Sequence, residues 1–197
     1  MGQYYHIILK RKGEKTVHAY DRTIDGEYTM AKLMEHSWYL NPMVNAICEK
    51  LYHKPSHIAW VGDYYNETEE EKELWKLAYG TKGNKRKYEM LHGTEFTLNG
   101  RYIVNHTKKL ILDCWQYLAD SIRQNPDEQY YSWVVHPLPL LVALGNGRGG
   151  GDYRGKDNIN VDEVGTWAWD VLEIVEYEDL EQLEKSGYQK YSVLFFD

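Results

Sequence analysis

At 197 residues the chain has room for one well-filled core and not comfortably for two. No stretch approaches the roughly 20 apolar residues a bilayer crossing needs, and two cysteines make neither a disulfide framework nor a zinc site. A net charge of -7 argues against general nucleic-acid binding, whereas a small phosphate-bearing ligand needs only a few local cations.

The first residues, Met1-Gly2-Gln3-Tyr4-Tyr5-His6, lack the basic and apolar regions of a signal peptide, and the myristoylation pattern fails at position six. A reducing, cytoplasmic setting is expected. Gln3 to Lys10 reads as a strand and Thr16 to Arg22 as its hairpin partner, joined through Lys12-Gly13-Glu14. Met30, Leu33, Met34 and Trp38 share one helical face. Asn41-Pro42 starts a second helix, because Asn caps well and Pro is tolerated at the first helical position. Its stripe of Val44, Ile47, Cys48 and Leu51 predicts packing on a buried strand over 57–62.

Thr68 and Glu71 form a capping-box pattern opening a helix through Leu74, Leu77 and Ala78. Lys82 to Lys87 reads as a solvated basic loop, and Asn99-Gly100 as a hairpin turn within 96–104. Lys108 to Arg123 begins strand-like and continues helix-like. Asn125-Pro126-Asp127 is a turn, 131–135 a strand ended by His136-Pro137, 166–177 a long strand, 179–185 a short helix and 191–196 a closing strand. Strands and helices interleave without regular βαβ spacing. The expectation is one α+β domain over 1–197, with a mixed or mainly antiparallel sheet and helices packed on one side.

Six of the sixteen glycines fall within Gly145 to Gly155. Glycines permit positive φ and let backbone N–H groups converge on an anion, and Arg148 and Arg154 offer guanidinium forks to phosphate or carboxylate. Gly145, Gly147 and Gly150 fit the dinucleotide spacing, but Asp152-Tyr153-Arg154-Gly155 is a poor helix start, so that fingerprint is set aside. The candidate ligand-binding residues are Asn146, Arg148, Gly149, Gly150, Asp152, Tyr153 and Arg154. The plain alternative is a surface loop. The seven tryptophans and eighteen tyrosines supply rings that either fill the core or stack on a ligand.

His36, His106 and His136 stand near element ends, and with Asp63 they are the candidate acids and bases. A lone His is more often a hydrogen-bonded structural residue. No metal or cofactor motif occurs, so neither is expected.

Met1-Gly2-Gln3-Tyr4-Tyr5, Lys32 to Trp38, Trp60 to Tyr64, Asn105 to Lys109 and Gly145 to Tyr153 together resemble segments of a group of uncharacterised proteins from Firmicutes and their phages. The resemblance brings no catalytic residue with it and implies a phage or bacterial cytoplasmic context. Three functional readings follow. The first is a binding protein for a small anionic, nucleotide-like ligand, acting in phage counter-defence. The second is a hydrolase or transferase on a phosphate-bearing substrate, using a histidine with Asp63 or Asp152. The third is an inhibitor that binds a host defence protein and no small ligand.

Overall fold

A computed structural model describes residues 3–28, 32–64, 68–80, 86–124, 134–145, 160 and 162–195. The chain opens with β1 (Tyr5–Arg11) and β2 (Val17–Ile24), an antiparallel hairpin with Ile8 opposite Ala19, as the sequence predicts. A short β3 (Glu27–Tyr28) folds back on β2. The first helical stripe gives only one turn, α1 (Leu33–His36), because the chain leaves the helix at Ser37 and Trp38 pairs with Val135. The second helix, α2 (Pro42–Leu51), starts where the Asn-Pro signal puts it: Asn41 Oδ1 accepts from the N–H groups of Met43 at 3.0 Å and Val44 at 3.4 Å.

Next come β4 (Ser56–Gly62) and α3 (Glu69–Tyr79), whose first turn is capped by the Thr68 hydroxyl accepting from Glu71 N–H at 3.3 Å. The basic run ends inside a strand, β5 (Arg86–Leu91), which lies parallel to β2. Asn99-Gly100 makes a turn, with Gly100 at φ +71°, but no hairpin: β6 (Tyr102–Asn105) finds its partners in β7 (Leu110–Asp113) and in a strand seventy residues further on. The ambiguous segment is both things in turn, β7 followed by α4 (Cys114–Gln124). Asp113 separates them, its Oδ1 accepting from Trp115 N–H and Gln116 N–H, each at 2.9 Å.

Most of the strand expected over 131–135 lies outside the described residues, with Val135 bridging Trp38; His136-Pro137 starts a helix, α5 (Pro137–Leu141), and β8 (Ala143–Leu144) follows parallel to β4. The long strand expected over 166–177 shrinks to β9 (Val171–Val175). Residues 162–169 are turns, with Gly165 at φ +76° and Trp169 at φ +64°, conformations a strand cannot hold. A 3-10 turn (Tyr177–Asp179) leads into α6 (Leu180–Lys185), and β10 (Gln189–Tyr191) closes the described strands. The strand predicted over 191–196 therefore ends at its first residue; Phe195 beyond it is buried but unpaired with a strand. The turn expected at 125–127 lies outside the described residues.

All ten strands belong to one mixed sheet, ordered β10-β7-β6-β9-β4-β1-β2-β3, with β5 on β2 and β8 on β4. The α+β class holds, with antiparallel pairs in the majority. The helices, however, cover both faces. On one face Ile7, Leu9, Ile58, Trp60, Leu172 and Ile174 join residues of α2, α4 and α5 in one large core. On the other, two separate clusters form: Ile8, Ala19, Ala59 and Val61 under α3, and Val104, Ile111 and Val175 under α6. Helix α2 packs against β9, β2 and β5, and Ile58 and Trp60 of β4 share its apolar cluster.

Ile47 is fully buried on α2. An aspartate there would bring an unpaired charge into the large core, so Ile47→Asp is expected to lower unfolding stability by at least ~3 kcal/mol. Urea denaturation followed by tryptophan fluorescence reads it; an unchanged midpoint would contradict the packing described.

Candidate functional site

The candidate acids and bases fall into different environments. His36 is completely buried beneath β4, and the Trp60 indole donates to its Nε2 at 2.8 Å. An indole N–H can only donate, so Nε2 carries the lone pair and the ring is neutral. Burial lowers the His36 pKa to about 4. His136 is also buried, and its Nδ1 caps α5 by accepting from Leu138 N–H at 3.1 Å. The ring proton therefore sits on Nε2, 3.7 Å from Cys48 Sγ. With its only lone pair on a backbone N–H, His136 does not serve as a base toward the thiol. Burial pushes the Cys48 thiol up and the His136 imidazole down, to about 3. Both rings are core histidines that must fold neutral.

Asp63 is a clamp at the end of β4. Its N–H donates to Tyr4 O at 2.9 Å, its Oδ1 accepts from Tyr4 N–H at 3.2 Å, and its carbonyl accepts from the Trp75 indole at 3.2 Å. His106 is the one candidate in a built polar network near the surface. One ring nitrogen lies 2.7 Å from Glu173 Oε2 and the other 2.7 Å from the Tyr188 hydroxyl. The carboxylate can only accept, so Nε2 donates to it, and in the neutral ring Nδ1 accepts from the phenol. This Glu–His–Tyr chain is a proton relay in form. It also ties the turn after β6 to β9 and to the segment before β10. Beside it, Asn105 Nδ2 donates to Asp170 at 2.8 Å, and Lys108 Nζ pairs with the same carboxylate at 3.4 Å.

Two clefts open on the face covered by α3 and α6. One, of about 460 Å³, lies between the first turn of α3 (Thr68, Glu70, Glu71) and Leu144, Lys108 and Thr166. The other, of about 420 Å³, lies between α6 and the sheet at β6, β7 and β10. None of His36, His106 and His136 lines either cleft.

Asn146, Arg148, Gly149, Gly150, Asp152, Tyr153 and Arg154 lie outside the described residues. The segment's first residue, Gly145, is described, and it sits in a junction that sequence reasoning missed. Gln3 is buried against both Gly62 and Gly145. Its Oε1 accepts from the Tyr5 hydroxyl at 2.7 Å, and its Nε2 donates to Tyr64 O at 3.4 Å. A Cβ on Gly145 would lie 2.7 Å from Gln3 Oε1 and 3.0 Å from Tyr64 O; one on Gly62 would lie 2.8 Å from Gln3 Oε1. Segments distant in sequence, those around Gln3, Gly62 and Gly145, thus meet at one point. The signal was available in part: a glutamine at the head of a strand of apolar residues.

Among the described residues no group of three or more His, Cys, Asp or Glu side chains could hold a metal ion, and no helix is long and apolar enough to cross a membrane. No protein-family model, curated protein or solved structure matches the chain.

Two outcomes follow. Unfolded histidines titrate near 6.5, so below that pH the unfolded chain binds protons that His36 and His136 refuse until about 4 and about 3. Stability therefore falls as pH drops from 6.5 toward 3, by on the order of 3 kcal/mol for His36 and 5 kcal/mol for His136. His136→Asn keeps a cap acceptor, removes one titration and should flatten that slope; equal slopes in pH-dependent urea melts would contradict it. Separately, Gly145→Ala forces Gln3 off its partners and should cost about 1–3 kcal/mol. In the double variant with Gln3→Ala the two losses should fall short of their sum, since the nearest clashing atom is gone.

Proposed function

We propose that the chain binds a small anionic, nucleotide-like ligand through the segment Gly145 to Gly155, at the cleft beside α3. The observation that carries the proposal is where that segment begins. Leu144 is part of the wall of the 460 Å³ cleft, and Gly145 is held next to it by the Gln3 junction, so the Gly/Arg segment is joined directly to the cleft's wall. The described lining is acidic: Glu70 and Glu71 outnumber Lys108, which is already paired with Asp170. An anion would be repelled there unless Arg148 and Arg154 supply the opposing charge. Their bidentate forks suit phosphate or carboxylate, the intervening glycines leave backbone donors accessible, and Tyr153 supplies a ring for a base. Asp152 turns away from the anion in this reading, holding an arginine or accepting from a ribose hydroxyl.

The resemblance to Firmicutes and phage proteins extends the proposal to context. The setting is the bacterial cytoplasm, and the activity is sequestration of a nucleotide signal used in host defence.

Each arginine contact is worth about 1.5–3 kcal/mol as a charge-assisted hydrogen bond. Arg148→Ala is therefore expected to weaken binding by roughly tenfold to a hundredfold, with the Tm of the unliganded protein nearly unchanged. A thermal-shift panel of nucleotides, sugar phosphates and carboxylates on wild type and Arg148→Ala reads both. Denaturing the complex and recovering the ligand intact separates binding from turnover. A panel without any shift for wild type would overturn the proposal in favour of direct binding to a host defence protein. Loss of stability in Arg148→Ala without a ligand response would make the arginine a loop tie instead.

A further inference from the structure

The 420 Å³ cleft beneath α6 has a different chemistry and stands apart from the Gly145 to Gly155 proposal. Its floor is the sheet: Tyr102 of β6, Ile111 and Asp113 of β7, and Lys190 of β10. Its wall is the 3-10 turn and α6, through Tyr177, Leu180 and Glu184. Register explains the floor. Tyr102 pairs with Asp113 across β6 and β7, and Ile111 pairs with Lys190 across β7 and β10, so these four side chains share one face. The volume is that of a small-molecule site.

The centre is apolar and aromatic. Tyr177 stands 71% exposed on its turn, a large ring that the described structure leaves uncovered. Tyr102, Asp113 and Tyr177 line the same cleft; burial raises the Tyr102 phenol, and the Asp113 carboxylate and Tyr177 phenol push it the same way. The charges are uneven. Lys190 Nζ lies 3.8 Å from Glu184 Oε1, so those two offset each other at one end. Asp113 is left at the other. Its Oδ1 is committed to the N–H groups of Trp115 and Gln116, and its second oxygen lies outside those two bonds. Two carboxylates against one ammonium repel an anion. Aromatic faces beside a carboxylate attract an organic cation, because the ring quadrupole and the carboxylate act in the same direction.

We propose that this cleft binds a small organic amine carried on an apolar or aromatic stem, its ammonium at Asp113 and its stem between Tyr102, Ile111, Tyr177 and Leu180. Asp113 sets the charge preference and Tyr177 closes over the stem.

The test uses three probes sharing one ring and differing in charge: phenethylamine, 2-phenylethanol and phenylacetate. Binding to the full chain is read by isothermal titration and ligand-observed NMR. Phenethylamine should bind at least about tenfold more tightly than 2-phenylethanol, weaken with added salt, and outcompete phenylacetate entirely. Asp113→Asn keeps an oxygen for the α4 cap, so folding should survive, and it should remove the preference for the amine while leaving the alcohol unchanged. Tyr177→Ala, at an exposed position, should weaken both. Arg148→Ala should leave phenethylamine binding unchanged, which separates this site from the one proposed above. Absence of amine binding at millimolar concentration would overturn the proposal. So would amine binding indifferent to both Asp113→Asn and Tyr177→Ala, or equal affinity for the amine and the alcohol.

Discussion

The rest of the fold depends on the burial of β4 on both faces. Ile58 and Trp60 point into the large core, and Ala59 and Val61 into the cluster under α3. A strand in that position can leave no backbone group without a partner. It pairs with β1 along its whole length. On its other edge β9 takes residues 56–57 and β8 takes residues 60–61. Splitting one edge between an antiparallel and a parallel neighbour makes the sheet mixed. It also obliges the chain from α5 to return to the middle of the sheet before it enters the glycine-rich segment. At Gly62 and Gly145 a side chain would collide with its neighbours, and a buried glutamine fills the space that two side chains would otherwise contest.

Several polar groups carried inward by this arrangement find a partner. His36 accepts from Trp60, His136 caps α5, and the Tyr39 hydroxyl donates to Cys114 O at 3.0 Å. Each is neutral; the His36–Trp60 and Tyr39–Cys114 bonds join elements distant in sequence, and the His136 bond caps its own helix. Such matched buried groups favour a single packing, because a shifted register would strand a donor or an acceptor in apolar surroundings.

What could be read from the sequence was local. Asn41-Pro42 and Thr68 announce helix starts because a cap involves only the next three residues. The β1–β2 hairpin was visible because its partners are adjacent. The parallel pairings of β5 with β2 and of β10 with β7 were invisible, since each joins strands separated by a long stretch of chain and neither strand alternates cleanly. Trp167 and Trp169 mimicked a strand by alternating, yet they belong to turns with a left-handed residue between the core and β9. For the site, polarity near element ends marked His36, His106 and His136 alike. Burial separates them, and burial is set by distant residues. The tyrosines beneath α6 were counted but could not be assembled, because Tyr102 and Tyr177 meet only through the β6–β9 pairing.

The two faces of the sheet divide their labour for a reason of coverage. The large core is roofed by α2, α4 and α5. Among the described residues the opposite face carries α3 and the single short α6, packed over separate clusters with a polar strip between them. Along that strip Asp170, Lys108, His106 and Glu173 satisfy one another, which allows the sheet to face solvent there without an apolar roof. A second long helix over this strip would bury more apolar surface, but it would also bury those charges at a cost that paired ions barely recover. Among the described residues the cover is therefore partial where these ion pairs lie. The clefts beside α3 and α6 open on this face, where that cover stops.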